Sequence, residues 1–267
     1  MSRPLFRAFS LAAIAVTAAL AAPGFSEADT YTTSDEDFVV STTEKKELTL
    51  DTGYLAPVWT SDQFKGEHFR GLDHDRLVIR IDQTAGGYDT AVARHAAGFT
   101  RVDEVHPDTY VEGEFEVTDP GTGDGFWVYG PKVSVNWDGF HLNEPDGWYE
   151  NYIVDTASLS PGEIEQWLYD VHKAKPIGTT RHNGSVYKHY RLVHKRWVQL
   201  WAVRQDYRNG GVTHLYPILR HWRRHGLPNE KFDGVKLNME FFGENRRAFE
   251  IRDYFVPAHL DQRPSQQ

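Results

Sequence analysis

An all-β fold, a sandwich or barrel, is what this sequence predicts, and three observations carry that prediction. From Leu48 onward, short β-branched and aromatic runs recur between turn residues, at the spacing of a sandwich or barrel. Only two stretches show the 3.6-residue period of an amphipathic helix. No internal repeat and no linker divides the chain after its N-terminal segment, so its ~240 remaining residues are expected to share one large β domain.

Residues 1–28 read as a secretory signal. Arg3 and Arg7 give a positive start, and residues 11–22 form an apolar run too short to span a bilayer. Small-residue cleavage sites follow at Ala19-Leu20-Ala21 and Ser26-Glu27-Ala28. A secreted protein is therefore expected, extracellular or periplasmic. Residues 29–47 are polar and acidic, and read as an exposed leader or an irregular first strand. The β domain is expected over 48–257, with a polar tail over 258–267. Strands are expected at 77–81, 110–117 and 126–129, with a turn over 119–125 where Pro120 and three glycines cluster. Further strands are expected at 148–155, 185–191, 197–204, 235–242 and 249–256.

Between these lie the two helical patterns. The first, shorter helix opens with Ser160 as N-cap, Pro161 at the first helical position and Glu163 completing a capping box. Ile164, Trp167, Leu168 and Val171 then make its apolar stripe. The main helix is expected from about Thr213. Leu215, Ile218, Leu219 and Trp222 form its stripe, Pro217 sits in its first turn and Gly226 ends it. Arg220, Arg223 and Arg224 fall off the stripe and read as a solvated face.

Composition excludes several functions. A net charge of −9 argues against nucleic acid and anionic membranes as partners. The absence of cysteine removes thiol catalysis and Cys-ligated zinc. Asp73-His74-Asp75 and His182-Asn183 lack any metal-site spacing, so no metal is expected. No Gly-x-Ser-x-Gly elbow occurs, and Thr84-Ala85-Gly86-Gly87-Tyr88 is a turn rather than a phosphate loop. The 8 Trp, 13 Tyr and 15 Phe suit sugar-stacking platforms, but a β core uses such residues equally well.

The stretch Trp148-Tyr149-Glu150-Asn151-Tyr152-Ile153-Val154-Asp155 is the candidate for chemistry, with a glutamate on a solvated sheet face as its alternative. Side chains alternate along a strand, so Glu150, Tyr152 and Val154 share one face. A mid-strand carboxylate is costly on a buried face but useful on a cleft. In the strand at 235–242, Lys236, Asn238 and Glu240 likewise form a polar face opposite Val235, Leu237 and Met239. Two such carboxylates about 5–5.5 Å apart permit retaining glycoside hydrolysis, one as nucleophile and the other as acid and then base. Environment sorts the roles, because the more solvated, hydrogen-bonded group stays ionised.

From residue 149 to 257 the sequence resembles the C-terminal half of the family 11 glycoside hydrolases, the small jelly-roll endo-1,4-β-xylanases. Glu150-Asn151-Tyr152-Ile153-Val154-Asp155 resembles the family's E-Y-Y-I-V-E strand, whose first Glu is the nucleophile. Asn183-Gly184-Ser185-Val186-Tyr187-Lys188-His189-Tyr190 resembles its D-G-G-T-Y-D-I-Y strand. Val198-Gln199-Leu200-Trp201-Ala202-Val203-Arg204 resembles F-x-Q-Y-W-S-V-R. Trp222-Arg223-Arg224-His225-Gly226-Leu227 resembles the end of the family helix, A-W-x-x-H-G-L, and Met239-Glu240-Phe241-Phe242 falls where the family has V-E-G-Y, with its acid/base Glu.

The resemblance implies a two-sheet jelly roll with one main helix and one extra short helix. It implies Glu150 as nucleophile and Glu240 as acid/base, with Tyr152 and Gln199 orienting the nucleophile or the sugar. Trp137 falls at the place of a cleft tyrosine, and Trp201 is a candidate platform with a core role as its alternative. His189 and His194 are candidates to point into the cleft. The implied substrate is a plant-type β-1,4 polysaccharide, xylan first, handled by a monomer without cofactor. Three departures stand out: residues 190–197 leave no room for the family's long thumb loop, the helix from Ser160 has no counterpart, and Phe241 replaces a Gly. Loss of the thumb predicts an open cleft. It also motivates the alternative of a non-catalytic carbohydrate-binding or envelope protein on the same scaffold.

Overall fold

The computed structural model describes residues 100–136, 148–194, 197–243, 245–257 and 259–264, together with the backbone of short strands between 29 and 94. The signal segment 1–28 and Trp137 lie outside the described residues. In chain order the strands are β1 (Asp29–Thr30), β2 (Phe38–Val40), β3 (Leu48–Thr49), β4 (Val58–Thr60), β5 (Glu67–Asp73), β6 (Arg76–Thr84), β7 (Tyr88–Arg94), β8 (Tyr110–Thr122), β9 (Phe126–Asn136), β10 (Trp148–Val154) and β11 (Thr156–Ala157). Helix α1 (Pro161–Asp170) follows, then β12 (Lys175–His182), β13 (Ser185–Val193), β14 (Trp197–Arg204) and β15 (Gly210–His214). Helix α2 (Leu215–Arg224), β16 (Phe232–Phe242) and β17 (Asn245–Phe255) complete the described chain.

Apart from the parallel pair β1-β3, these strands form two large sheets, ordered β12-β13-β14-β10-β9-β16-β7-β4 and β15-β8-β17-β6-β5-β2, with β11 attached to β9. The fold is a two-sheet jelly roll: the strand spacing predicted a sandwich or barrel, and the family resemblance implied the jelly roll. Hairpin neighbours such as β12–β13 alternate in the first sheet with strands from distant parts of the chain, such as β9 and β16, and β10 pairs with β14 in parallel. The main core lies between the sheets, where Val133, Val135, Ile153, Leu200, Ala202, Leu237, Met239 and Phe241 meet Phe115, Phe249 and Ile251. Phe241, which replaces a glycine of the resembled motif, is therefore a core residue, fully buried against Phe249 with centroids 5.1 Å apart.

Gly130 is one position where the fold admits no side chain. Its φ is +148°, and a Cβ there would sit 2.0 Å from the Ile153 carbonyl oxygen. Beyond it, Asp155 is buried as the terminus of a polar network. It accepts from the Tyr187 hydroxyl at 2.6 Å and from the Thr213 hydroxyl, with Arg204 at 3.8 Å and Arg208 at 3.7 Å. Charge and hydrogen bonds together compensate a carboxylate taken out of water.

Both helices form where their patterns place them. Ser160 caps α1 and exchanges bonds with Glu163, whose Oε2 accepts the Ser160 N–H at 2.8 Å. Ile164 and Leu168 are fully buried, but Val171 is 46% exposed and ends the helix instead of joining its stripe. Helix α2 begins at Leu215, two residues later than Thr213, which belongs to β15. Its Leu215, Ile218, Leu219 and Trp222 are all buried, and Gly226 turns the chain at φ +104°. Arg223 is not simply solvated, since it forms two bonds to Asp103 at 2.9 and 3.0 Å.

Two boundaries differ from expectation, and one alternative is decided. Strand β8 runs through Pro120 and Gly121 to Thr122, because bulges opposite Arg246–Phe249 absorb the irregular residues, so only 123–125 remain as the turn. The segment 29–47, read as an exposed leader or an irregular first strand, contains β1 and β2. The expected polar tail contains Leu260, which is fully buried and whose carbonyl accepts from His106 N–H and the Thr109 hydroxyl. Among the described residues no helix is long and apolar enough to cross a membrane.

Candidate active site

Strand alternation makes the first sheet two-faced. The core face carries the residues named above. The opposite face carries Lys132 and Ser134 of β9, Glu150 and Tyr152 of β10, Gln199 and Trp201 of β14, and Asn238 and Glu240 of β16. Register sets Glu150 beside Ser134 and Tyr152 beside Lys132 on one side, and Tyr152 beside Trp201 on the other. Strand β9 lies between β10 and β16, so its Lys132 reaches both carboxylates.

Lys132 Nζ is 2.8 Å from Glu150 Oε1 and 2.9 Å from Glu240 Oε2. Those two oxygens consequently lie no more than about 6 Å apart, a range that includes the retaining geometry. Each carboxylate also has its own neutral donor. Gln199 Nε2 donates to Glu150 Oε2 at 3.0 Å, and the Tyr152 hydroxyl donates to Glu240 Oε1 at 3.2 Å. The Gln199 amide is held one way round, because Trp201 Nε1–H can only donate and gives its proton to Gln199 Oε1 at 3.1 Å. The Tyr152 and Trp201 rings stack at 4.3 Å and 19°. The chain of contacts thus closes on itself, from Trp201 through Gln199, Glu150, Lys132, Glu240 and Tyr152 back to Trp201.

Exposure separates the two acids. The Glu150 side chain is 24% exposed, Glu240 11% and Lys132 4%. Burial pushes the Glu150 carboxyl up, but the charge and hydrogen bond of Lys132, the Gln199 bond and the Lys236 charge outweigh it and hold Glu150 below the usual carboxylate range. Lys236 stands directly opposite Lys132 in the ladder, so two lysines and two glutamates balance on this face.

Next to this polar group the same face is apolar and covered. Helix α1 lays Ile164 and Leu168 on Val128, Tyr152, Val154, Tyr190, Leu192, Trp201 and Val203. Trp167 reaches Phe126, Phe242 and Trp201 with centroids 5.0, 5.4 and 5.8 Å away. Full burial of each aliphatic side chain is worth about 1.5–3 kcal/mol, so this helix is a second core rather than a loose strap. Glu165 fastens its other edge through Lys188 at 3.0 Å and Gln205 at 2.9 Å.

Two expectations are corrected here. Trp201 is 1% exposed beneath α1, so it positions Gln199 and presents no ring to a sugar. The cleft is not simply open. The connection between β13 and β14 is only residues 194–196, so the thumb is absent as expected, but α1 fills the apolar half of the face. Tyr152, 3% exposed, touches Glu240 rather than bulk solvent. Of the two candidate histidines, His194 lies near the pair, beside Gln199 and within reach of the Glu150 charge. His189 points the other way, to Thr180 at 2.8 Å and the His221 ring.

Lys132 was not singled out in the sequence. Its signal is the alternation Lys132-Val133-Ser134-Val135, in which a charge shares a strand face with Ser134, the pattern that marked Glu150. A cavity of about 210 Å³ lined by Thr180, His182, Arg208 and His214 lies apart from the acid pair, none of whose residues lines it. Among the described residues, no group of three or more His, Asp or Glu side chains is arranged to hold a metal ion.

No protein-family model and no curated protein matches the sequence. Solved structures do match. A family 11 xylanase from Neocallimastix patriciarum superposes with a TM-score of 0.65 at 13% identity, over 82% of this chain and 98% of that one. The wild-type ENZbleach xylanase gives 0.65 at 13% identity, over 83% and 86%. A double-cysteine mutant of that enzyme gives 0.66 at 14%, over 85% and 88%. The fold is the xylanase-type jelly roll. At such identity the likeness establishes the xylanase-type architecture alone, and the chemistry rests on the side chains described above.

Proposed function

We propose that this chain is a secreted retaining glycoside hydrolase of the xylanase type, cleaving internal β-1,4 bonds of a plant-type polysaccharide, xylan first among them. The observation that carries it is the pair Glu150 and Glu240, brought from distant strands to within about 6 Å, each with a separate positioning donor. Glu150 is the more exposed and is held ionised, which suits the nucleophile that attacks the anomeric carbon. Glu240 is the more buried and suits the acid that protonates the leaving oxygen, then takes a proton from the water that releases the sugar. Gln199 and Tyr152 fix the two carboxylates, and no cofactor enters. A monomer acting on a polysaccharide outside the cytoplasm is the partner arrangement this reading assumes.

The test is release of reducing ends from xylan, glucan and mannan by the protein lacking residues 1–28, compared with Glu150→Gln and Glu240→Gln. Loss of activity in Glu150→Gln on every substrate supports the reading. Glu240→Gln should retain activity on aryl glycosides with activated leaving groups, which need no proton. A second reading, a carbohydrate-binding protein without turnover, is favoured by one observation: α1 covers the aromatic half of the face where sugar rings would stack. Binding of xylo-oligosaccharides with no bond cleavage by the wild type would select it.

A further inference from the structure

The residue between the two acids is a lysine, and retaining hydrolysis asks for a proton at that place. Two carboxylates within about 6 Å in a half-buried site ordinarily share one proton, because like charges resist joint ionisation. A cation between them removes that constraint. Lys132 Nζ donates to both carboxylates, its side chain is 4% exposed, and its charge lies 4.8 Å from the Tyr152 ring centroid. Among the described residues, the charged and titratable groups around it are Glu150 and Tyr152 of β10, Glu240 and Lys236 of β16, and His194 beyond β13. From β14 comes only the neutral Gln199, and Glu165 of α1 is engaged by Lys188 and Gln205.

We propose that Lys132 is a positioning residue of the acid pair: its ammonium keeps Glu150 and Glu240 both in the carboxylate form at neutral pH, so the site acquires its catalytic acid only in acidic solution. The inference rests on the glycosidase reading only in its last clause. The proton that Glu240 passes to the leaving oxygen is then taken from solvent beforehand and recovered from the attacking water, so the cycle balances. Loss of Lys132 should raise the protonation midpoint of the pair and move the whole pH–rate profile toward neutrality.

The experiment is a titration of glutamate side-chain carboxyls by ¹³C NMR, from about pH 3 to 8, with Glu150→Gln and Glu240→Gln assigning the two signals. In the wild type both should be ionised down to mildly acidic pH, and in Lys132→Met at least one midpoint should rise by about 1–3 pH units. Removing the cation leaves two facing carboxylates, which threatens the fold. The same titration is therefore run on Glu240→Gln and on Glu240→Gln with Lys132→Met, where that repulsion is absent and the Glu150 midpoint should rise by about one unit or more. Unmoved midpoints in these variants overturn the proposal. Because the measurement needs no turnover, inactivity on every β-glycan would overturn the glycosidase reading alone. If the wild type is active, an unchanged pH–kcat/KM profile in Lys132→Met would overturn the link to turnover.

Discussion

Tyr152 and Trp201 stand side by side on parallel strands, their rings stacked at 4.3 Å, and each hands its one polar hydrogen toward a different carboxylate. Tyr152 donates to Glu240 directly, whereas Trp201 reaches Glu150 through Gln199. One buried aromatic pair therefore sets the orientation of both acids. Aromatic residues here support the site from beneath, where sugar platforms were expected.

Tyr152→Phe isolates half of that arrangement. The ring and its stack remain, while Glu240 loses a donor in a nearly dry site. We expect a stability loss of about 1.5–3 kcal/mol, the range for a hydrogen bond to a charged group. Urea denaturation reads it directly. In an active enzyme kcat should fall with KM little changed, since the buried hydroxyl positions an acid and does not hold sugar.

Trp201→Ala should be a stability mutant. Removing a fully buried indole costs about 3–5 kcal/mol in cavity and lost contact, and frees the Gln199 amide to turn. A lowered melting temperature is expected. A raised KM at unchanged stability would instead mean that the ring meets substrate.

The cover over the apolar half is open to the same kind of test. Leu168→Ala should cost about 2–5 kcal/mol, and Ser160→Ala about 1 kcal/mol through loss of the cap. If α1 were instead a loosely held lid, both variants would melt like the wild type and gain activity.

Acid should weaken the fold through histidines. Burial, with the nearby His221 and His225 charges, holds His189 down at about 3, and burial beside His194 holds His172 at about 4. Both lie below the unfolded value of 6.5, so between these limits the unfolded chain binds more protons. Their contribution is complete above about pH 6.5 and is lost as pH falls toward 3. Melting temperatures across that range should decline with acid, and His189→Gln should flatten the decline. Activity that needs an acidic medium would then be bounded below by this loss of stability.

The expectations that held share a physical cause. The capping box Ser160-Pro161-Gly162-Glu163 and the stripe of α2 are local patterns, read from residues a few positions apart, and both helices form there. Glu150 and Glu240 on one sheet face follow from strand alternation plus the order of resembled motifs. Val171, Leu260 and the extent of β8 depart from the local pattern because neighbours far along the chain decide their burial and pairing. Trp201 is the sharpest case. Its strand face was legible, but the same face carries both the polar acid group and the covered hydrophobes, and only the docking of α1 tells them apart.

By itself the sequence determined the all-β class and the two helices, because periodicity and capping act within a few residues, and its resemblance to a known family pointed to the two candidate acids. The tertiary structure alone decided that Lys132 stands between those acids and that Trp167 closes over Trp201. Both depend on the side-by-side order of β14, β10, β9 and β16, set by long-range pairing in which the chain neighbours of a residue have no part.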